Sequence, residues 1–501
     1  MDSVKKKRRL TVYPILFALF PVLSILSANI SEIKPIVAVK PAVFSVTTAA
    51  LVFLVLSLVF RNAHKGALAT SLLLTLFFSY GHACNVLGRA ESSPIDGIAL
   101  SILAVWGLIC VFGMISIIRT NRDLSVAGQV LNMVAIFMLV TPAIAIGKYE
   151  LTETDADFVP SRPENRMAPK SAISQATVKP DIYYLMFDRY SSARELKRVV
   201  NFDNGRFIND LEKRGFYVAH KSRTNYSRTY LSLSSSLNMK YHEKYFDRRA
   251  SLGELQDSRV ARILKDQGYK YIHYESRYPP TRNNPFADIN IITSKRRIGS
   301  FSRLVLDTTL ARPVLTGSFP LEREEQILFQ FESLAKAPKI PGPKFVFAHV
   351  IVPHEPYLFD KDGRSVSAEE LERKPEIELY KDYILFANTK IQEVVDALIA
   401  DSKTPPIIVI QADEGFRPKP QWRKENPLAR ELHFGILNAY YLPGVDTNKV
   451  LYDSITPVNS FRIIFNAYFQ TDFKILPDEN FLAPPNKNVR SFRRVTDSLK
   501  N

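Results

Sequence analysis

The most restrictive feature of this 501-residue sequence is a series of long apolar runs near its amino terminus. Each run has roughly 17–22 residues, which is the length that an α-helix needs to cross the hydrocarbon core of a bilayer. The runs lie at Leu10–Ile30, Pro41–Phe60, Leu68–Leu87, Ile98–Ile118 and Val126–Ile146. The sequence therefore predicts an amino-terminal transmembrane unit with five spans.

The loops between these runs predict the orientation of the unit. The segments "VKKKRR", "RNAHKG" and "RTNRD" are basic, whereas "RAESSPID" also carries acidic residues. Because Lys and Arg are retained on the cytoplasmic side, the amino terminus is predicted to be cytoplasmic. An odd number of spans then places the rest of the chain outside the inner or plasma membrane, in the periplasm or the extracellular space.

Composition divides the chain into four parts. We predict a transmembrane domain at 1–149, a polar linker at 150–179, a catalytic domain at 180–478 and a basic carboxyl-terminal tail at 479–501. Both cysteines, Cys84 and Cys110, fall in predicted spans. The exported part therefore has no disulfide, and its own apolar core must stabilise it.

The formal charge of +16 bears on the partners of the chain. No nucleic-acid recognition motif accompanies the basic residues, and an exported domain rarely meets nucleic acid. Anionic membrane lipids or phosphate-bearing glycans are the partners that fit better. A basic surface without a specific partner is the simpler alternative.

The exported part alternates apolar strands with amphipathic helices. This pattern predicts an α/β fold with a mainly parallel sheet covered by helices on both faces. In such sheets ligands bind at the carboxyl ends of the strands. Three predicted strands end in polar side chains, namely Asp188, His354 and the adjacent pair Asp413 and Glu414.

Three carboxylates in one cleft would repel one another unless a cation separated their charges. Oxygen ligands favour a hard divalent ion, so one Mn²⁺, Mg²⁺ or Ca²⁺ ion is predicted in preference to Zn²⁺. The predicted ligands are the carboxylates of Asp188, Asp413 and Glu414. An Asp at the end of a strand is also a common cap or turn residue, and that reading stays open.

Thr229 begins a predicted helix, "TYLSLSSSLNM". A hydroxyl at that position caps the free helix amides by default, but the same geometry suits a nucleophile beside a metal and a phosphate. His354 could donate to a phosphoryl oxygen. His349, five residues earlier, is interpreted as a buried histidine with a satisfied hydrogen bond.

Three further residues complete the set of candidates for substrate binding. Arg189 and Arg223 flank the predicted metal and nucleophile positions and would clamp an anion, although a solvated surface role is the commoner one. His433, in "ELHFGILNAYYLPG", precedes another predicted strand and would line the cleft.

The order of these motifs resembles a known family. "YYLMFDRYSS", "NYSRTYLSLSSSLNM", "FVFAHVIVPHEPYLFD", "IIVIQADEG" and "ILNAYYLPG" are similar to membrane-anchored members of the alkaline phosphatase superfamily. More narrowly, they resemble the sulfatase-like hydrolase and transferase group that includes lipoteichoic acid synthases and phosphoethanolamine transferases. The resemblance covers about Lys179–Asp478 and extends to the number of spans. It implies an alkaline-phosphatase-like catalytic domain.

In that family an early carboxylate, a threonine and a late Asp-His pair bind the metal, and the threonine is transiently phosphorylated. The resemblance implies these roles for Asp188, Thr229, Asp413 and the position of Glu414, with His354 near the substrate phosphate. This sequence departs from the family at Glu414, where His is usual, and at Arg189, where a small residue is common. It also lacks the C/S-x-P-x-R motif of formylglycine sulfatases near Thr229.

Together these features predict a metal-dependent phosphotransferase or phosphodiesterase of the cell envelope. The expected donor is an anionic lipid-linked phosphodiester, and the expected acceptor is a hydroxyl of an envelope glycan, a lipid or water. The alternative, favoured by Glu414, is a catalytically silent relative that binds or scaffolds an envelope polymer.

Overall fold

The computed structural model describes residues 11–30, 35–86, 97–154, 179–242, 253–293, 300–313, 319–417, 428–483 and 492–499. The chain forms two compact units. The membrane unit comprises Met1–Asp157 and Lys295–Leu321, and the α/β unit comprises Phe158–Ser294 and Glu322–Asn501.

Apolar helices make up most of the membrane unit. Four helices in the described part of the chain are long and apolar enough to cross a bilayer, while the first has 16 residues. The five-span count therefore stays a prediction, although a helix lies at every predicted span. The helices are α1 (Tyr13–Ala28), α2 (Val39–Val59), α3 (Ala63–Val86), α4 (Gly97–Arg119) and α5 (Ser125–Thr154).

A mostly parallel sheet forms the centre of the α/β unit. Among the described residues it has seven strands in the order β2-β7-β6-β1-β5-β3-β4. Strands β6, β1, β5, β3 and β4 run parallel, and β7 pairs antiparallel with β6 and β2. The strands are β1 (Ile182–Phe187), β2 (Tyr217–Val218), β3 (Lys270–Tyr274), β4 (Ile289–Ile291), β5 (Lys344–Val350), β6 (Ile407–Ala412) and β7 (Asn438–Tyr441).

Both faces of this sheet are buried, which explains why its central strands are apolar throughout. In β1, Tyr183, Leu185 and Phe187 enter one hydrophobic cluster, and the alternate residues Tyr184 and Met186 enter the other. This alternation follows from the two-residue period of a strand. The predicted α/β fold with a mainly parallel sheet covered by helices is confirmed.

Helices from different parts of the chain cover the two faces. The described helices of this unit are α6 (Ala193–Val200), α7 (Gly205–Lys213), α8 (Thr229–Asn238), α9 (Arg259–Asp266), α11 (Phe319–Ala335), α12 (Ala368–Arg373), α13 (Glu376–Asp401), α14 (Ala429–Phe434), α15 (Thr447–Val450) and α16 (Pro457–Phe469). Side chains of α7, α11 and α13 pack in the first cluster, and those of α8, α9 and α16 pack in the second. Helix α10 (Ser300–Asp307) belongs to the membrane unit.

The predicted domain boundaries can be set beside the described residues. Helix α5 continues to Thr154, and the rest of the predicted linker up to residue 178 lies outside the described part of the chain. In the predicted tail, β8 (Phe481–Leu482) pairs with β9 (Arg493–Arg494). Val495 and Leu499 pack against Phe434, so these residues contribute to the core of the α/β unit.

Candidate active site

The register of the sheet brings three polar side chains to one face at the carboxyl ends of its strands. Met186 of β1 lies beside His349 of β5 and Gln411 of β6. Asp188 lies two residues after Met186, and Asp413 lies two residues after Gln411. Because side chains alternate between faces, Asp188, His349 and Asp413 all lie on the face that α8 covers.

These three residues form a group that could hold a metal ion. One ligand atom from each of Asp188, His349 and Asp413 lies within 4.8 Å of the other two, and all three residues are buried. Asp188 Oδ1, His349 Nε2 and Asp413 Oδ2 have no hydrogen-bond partner among the described residues. Buried polar atoms are normally paired, so three convergent unpaired ligand atoms fit a cation between them.

The surrounding hydrogen bonds leave these ligand atoms free to coordinate. His349 Nδ1 lies 2.9 Å from the Thr281 hydroxyl, while its Nε2 lies 3.5 Å from Asp188 Oδ2. The Arg189 amide donates to Asp413 Oδ1 at 3.1 Å, while Asp413 Oδ2 stays unpaired. Partners of this kind fix the orientation of ligand side chains in metal sites.

Electrostatics distinguishes the two aspartates. Burial, together with the charges of Asp188 and Glu414, raises the pKa of Asp413 well above its ordinary value. Burial also raises the pKa of Asp188, but His354 and His349 outweigh it and leave that pKa below the ordinary value. The site therefore holds one carboxyl that is stabilised as an anion and a second that is destabilised as an anion in the absence of a cation.

Thr229 is the first residue of α8, next to Asp413. A hydrogen bond with the Thr229 hydroxyl lowers the pKa of Asp413, although burial raises that pKa by more. The Thr224 hydroxyl donates to the Asp413 carbonyl at 2.5 Å and lies 3.0 Å from the Ser232 hydroxyl of α8. These contacts join the start of α8 to the end of β6, so the predicted nucleophile lies beside the group of candidate ligands.

Glu414 is buried in contact with the side chains of Arg189 and His433. Its carboxylate lies 3.4 Å from Arg189 Nε and 3.1 Å from His433 Nε2. Burial raises the pKa of Glu414, but His433 and Arg189 lower it below the ordinary value. Glu414 is outside the three-residue group, and its assignment as a metal ligand stays a prediction.

Arg189 is held by carboxylates on both sides. Besides Glu414, it pairs through Nη1 with Glu355, and its backbone adopts the left-handed conformation with φ +63°. Burial lowers the pKa of Arg189, but Glu414 and Glu355 outweigh burial and raise it. The guanidinium is already engaged in the described structure, so its predicted contact with substrate would require a rearrangement.

The other predicted substrate residues lie in different surroundings. His354 follows β5 with its side chain 27% exposed, and its charge acts on Asp188. Arg223 is half-buried beside Glu195, and burial lowers its pKa. The described contacts therefore place His354 near the three-residue group, while Arg223 has other charged neighbours.

Sequence reasoning assigned His349 to the core and so missed it as a candidate ligand. The side chain is indeed fully buried. The alternation of side chains along a strand could have identified His349. Phe347 and His349 lie on the same face of β5, and Met186 and Asp188 lie on that face of the neighbouring strand β1. The same alternation separates Glu414 from Asp413.

No family model matches this sequence, and no curated protein matches it. Among solved structures, the zinc complex of the C-terminal periplasmic domain of EcEptC from Escherichia coli has 14% identity and a TM-score of 0.45, over 66% of this chain and 95% of that one. The lipoteichoic acid synthase LtaP from Listeria monocytogenes has 12% identity and a TM-score of 0.40, over 68% and 93%.

The integral membrane protein EptA from Neisseria meningitidis, a lipooligosaccharide phosphoethanolamine transferase, also matches. It has 14% identity and a TM-score of 0.37, and the match covers 90% of this chain and 94% of that one. Proteins of the group that the sequence resembles are therefore among the matching structures. All three TM-scores lie below 0.5, so the function of this chain has to be inferred from the geometry of its own site.

Proposed function

We propose that this chain is a metal-dependent phosphotransferase or phosphodiesterase of the cell envelope. The observation that supports this most directly is the convergence of Asp188, His349 and Asp413, each with an unpaired buried ligand atom, beside Thr229. Carboxylate and imidazole donors next to a hydroxyl at a helix start suit phosphoryl transfer.

Asp188, His349 and Asp413 would hold one divalent ion. Such an ion supplies positive charge that stabilises the phosphoryl oxygens and lowers the pKa of a neighbouring hydroxyl. The His349 imidazole adds a nitrogen to the oxygen donors of the two aspartates. This mixed donor set suits Mn²⁺ or Zn²⁺, whereas the all-oxygen set predicted from sequence would have favoured Mg²⁺, Mn²⁺ or Ca²⁺. Glu414, paired with Arg189 and His433, would support the site from outside the ligand group.

Thr229 is the proposed nucleophile. The Thr229 hydroxyl would lose its proton, and Oγ1 would form a bond to the phosphorus of a lipid-linked phosphodiester while the bond to the lipid oxygen breaks. The released lipid alkoxide would take up a proton and leave as an alcohol. The amide end of α8 favours a bound phosphate. His354 would donate to a phosphoryl oxygen. In a second step a glycan, a lipid or water would attack phosphorus and regenerate the Thr229 hydroxyl.

The membrane unit supports a lipid donor. Four described helices have the length and apolarity to cross a bilayer, so the α/β unit is joined covalently to a membrane-embedded segment. We propose that the amino terminus is cytoplasmic and that the α/β unit is outside the cytoplasm. Tethering raises the local concentration of lipid donors. The resemblance suggests glycerophosphate or phosphoethanolamine as the transferred group.

The experiment compares three forms of the full chain in detergent with labelled phosphatidylglycerol and phosphatidylethanolamine. Wild type is expected to release diacylglycerol when loaded with Mn²⁺ or Zn²⁺ and to carry a phospho-adduct on Thr229 by mass spectrometry. Thr229→Ala is expected to lose both. Ser234→Ala is the matched control, since Ser234 lies on the same helix and its hydroxyl has no described hydrogen-bond partner.

Retained turnover in Thr229→Ala would contradict the proposed nucleophile. A wild-type chain that binds metal but turns over neither lipid would support the alternative, a silent relative that binds an envelope polymer. Release of inorganic phosphate from a simple monoester, without diester cleavage, would instead identify a phosphatase.

A further inference from the structure

A segment between two elements of the α/β unit belongs to the membrane unit. The chain leaves the α/β unit after β4 and returns to it at Glu322, near the start of α11. Between these points the structure describes residues 300–313, called here the docking segment. It contains α10 and the turn that follows this helix.

Apolar side chains fix the docking segment to the helices of the membrane unit. Phe301 and Val305 of α10 are buried among side chains of α1, α2, α3 and α5, and Leu310 packs against side chains of α3 and α4. The residues contacted lie late in α1, α3 and α5 and early in α2 and α4, so they belong to one end of the bundle. They include Leu26, Ile30, Ala42, Phe78, Tyr80, Cys84, Ile102, Trp106, Ile146 and Tyr149.

Backbone hydrogen bonds join the docking segment to α3. The Gly81 amide donates to the Thr308 carbonyl at 2.9 Å, and the Phe77 carbonyl accepts from the Leu310 amide at 2.9 Å. In a regular α-helix these two groups of α3 form one i to i−4 pair. Both groups thus bond to the docking segment at the position where α3 has a glycine.

Only a very small residue fits at this crossing. A Cβ atom built on Gly81 would lie 2.1 Å from the Asp307 carbonyl oxygen and 2.6 Å from Thr308 Cα. Backbone atoms cannot yield as the end of a flexible side chain can. By contrast, a Cβ atom on Gly107 in α4 would meet no atom within 4 Å.

A buried arginine closes the contact. Arg312 is 7% exposed, and its Nη1 donates to the Gly81 carbonyl at 3.0 Å and to Asn85 Oδ1 at 2.7 Å. Gly81 and Asn85 lie in the last two turns of α3, where a positive charge is favourable. The guanidinium therefore joins the docking segment to the carboxyl-terminal end of α3.

We propose that one end of the five-helix bundle is a docking surface for residues 300–313, and that this contact is a second attachment of the catalytic chain to its membrane unit. The occupant is this segment of the chain itself. It is held by the close approach to Gly81, by the hydrogen bonds of Arg312 and by the apolar side chains of Phe301, Val305 and Leu310. The proposal is independent of the reaction assigned to the α/β unit.

Hydrogen–deuterium exchange on the full chain in detergent micelles tests the proposal. In wild type, peptides from residues 300–313 are expected to exchange at least about 10-fold more slowly than an unstructured chain. Gly81→Ala is expected to remove most of that protection, because the added methyl group displaces Asp307 and Thr308. Gly107→Ala is the matched control and is expected to keep wild-type exchange.

Arg312→Gln provides a second variant in case Gly81→Ala does not fold. It removes the guanidinium that bonds to Gly81 and Asn85 and leaves the close approach at Gly81 intact, so faster exchange is expected in residues 300–313 and in the last turns of α3. Wild-type peptides that exchange as fast as an unstructured chain would overturn the proposal. So would unchanged protection in both Gly81→Ala and Arg312→Gln.

Discussion

Replacing Asp413 by Asn should change stability in opposite directions with and without metal. The substitution removes one buried negative charge and keeps an oxygen in the side chain to accept the Arg189 amide. Without metal, the loss of charge relieves repulsion with Asp188 and Glu414. With metal, the same loss removes an anionic ligand.

The distances give an order of magnitude for each direction. The ligand atoms of Asp188 and Asp413 lie within 4.8 Å of each other. Two unit charges at about that distance repel by about 3 kcal/mol at an effective dielectric constant of about 20, so metal-free Asp413→Asn should gain stability of that order. In wild type, a metal at about 1,000 times its Kd adds about 4 kcal/mol to the free energy of unfolding. Asp413→Asn should lose most of that addition.

Thermal unfolding of the full chain in detergent would measure both effects, with EDTA or with excess Mn²⁺ or Zn²⁺. Glu414→Gln is the matched control, because Glu414 pairs with Arg189 and His433 and lies outside the three-residue group. Breaking a buried ion pair costs about 3 to 5 kcal/mol, so this variant should be destabilised in both conditions. If Asp413→Asn shifts the midpoint in the same direction in both conditions, the proposed metal group is wrong. Loss of bound metal in Glu414→Gln would instead restore Glu414 as a ligand.

Two further predictions concern the surroundings of the site. Thr281→Val removes the hydroxyl beside His349 Nδ1 and should weaken metal binding by about 10- to 100-fold in a competition titration. Thr281→Ser keeps a hydroxyl and should keep wild-type affinity. Equal metal affinities in the two variants would contradict a positioning role for Thr281. Burial lowers the pKa of His273 from 6.5 to about 4. Between these two pH values the unfolded chain binds more protons than the folded chain, so the free energy of unfolding should fall as the pH drops below about 6.5. The fall should be at most about 1.4 kcal/mol per pH unit. His273→Gln should show a shallower fall in EDTA-treated protein, and an identical slope would show that His273 does not cause it.

The fold followed from local patterns that depend on short stretches of sequence. Apolar runs predicted the membrane helices, and unbroken apolar strands between helices predicted a parallel sheet buried on both faces. The strand ends then led to Asp188 and Asp413, because carboxyl ends of parallel strands share one edge. Both residues do lie in the candidate metal group.

His349 and Glu414 required long-range information. The partner of His349 Nδ1 is Thr281, which lies in a separate segment of the chain. Likewise, Glu414 meets His433, which lies 19 residues later in the chain, and their pairing depends on how α14 packs. The docking segment is a similar case, since the need for a glycine at position 81 follows only from the Asp307 carbonyl group that lies against it.

We propose that oxygen and nitrogen atoms at the carboxyl ends of three strands of one sheet bind a single cation next to Thr229. Anomalous diffraction from crystals of the full chain soaked in Mn²⁺ or Zn²⁺ would locate that cation. We expect one peak enclosed by Asp188, His349 and Asp413, adjacent to the Thr229 hydroxyl. An empty site at saturating metal, or a peak bound elsewhere, would contradict it.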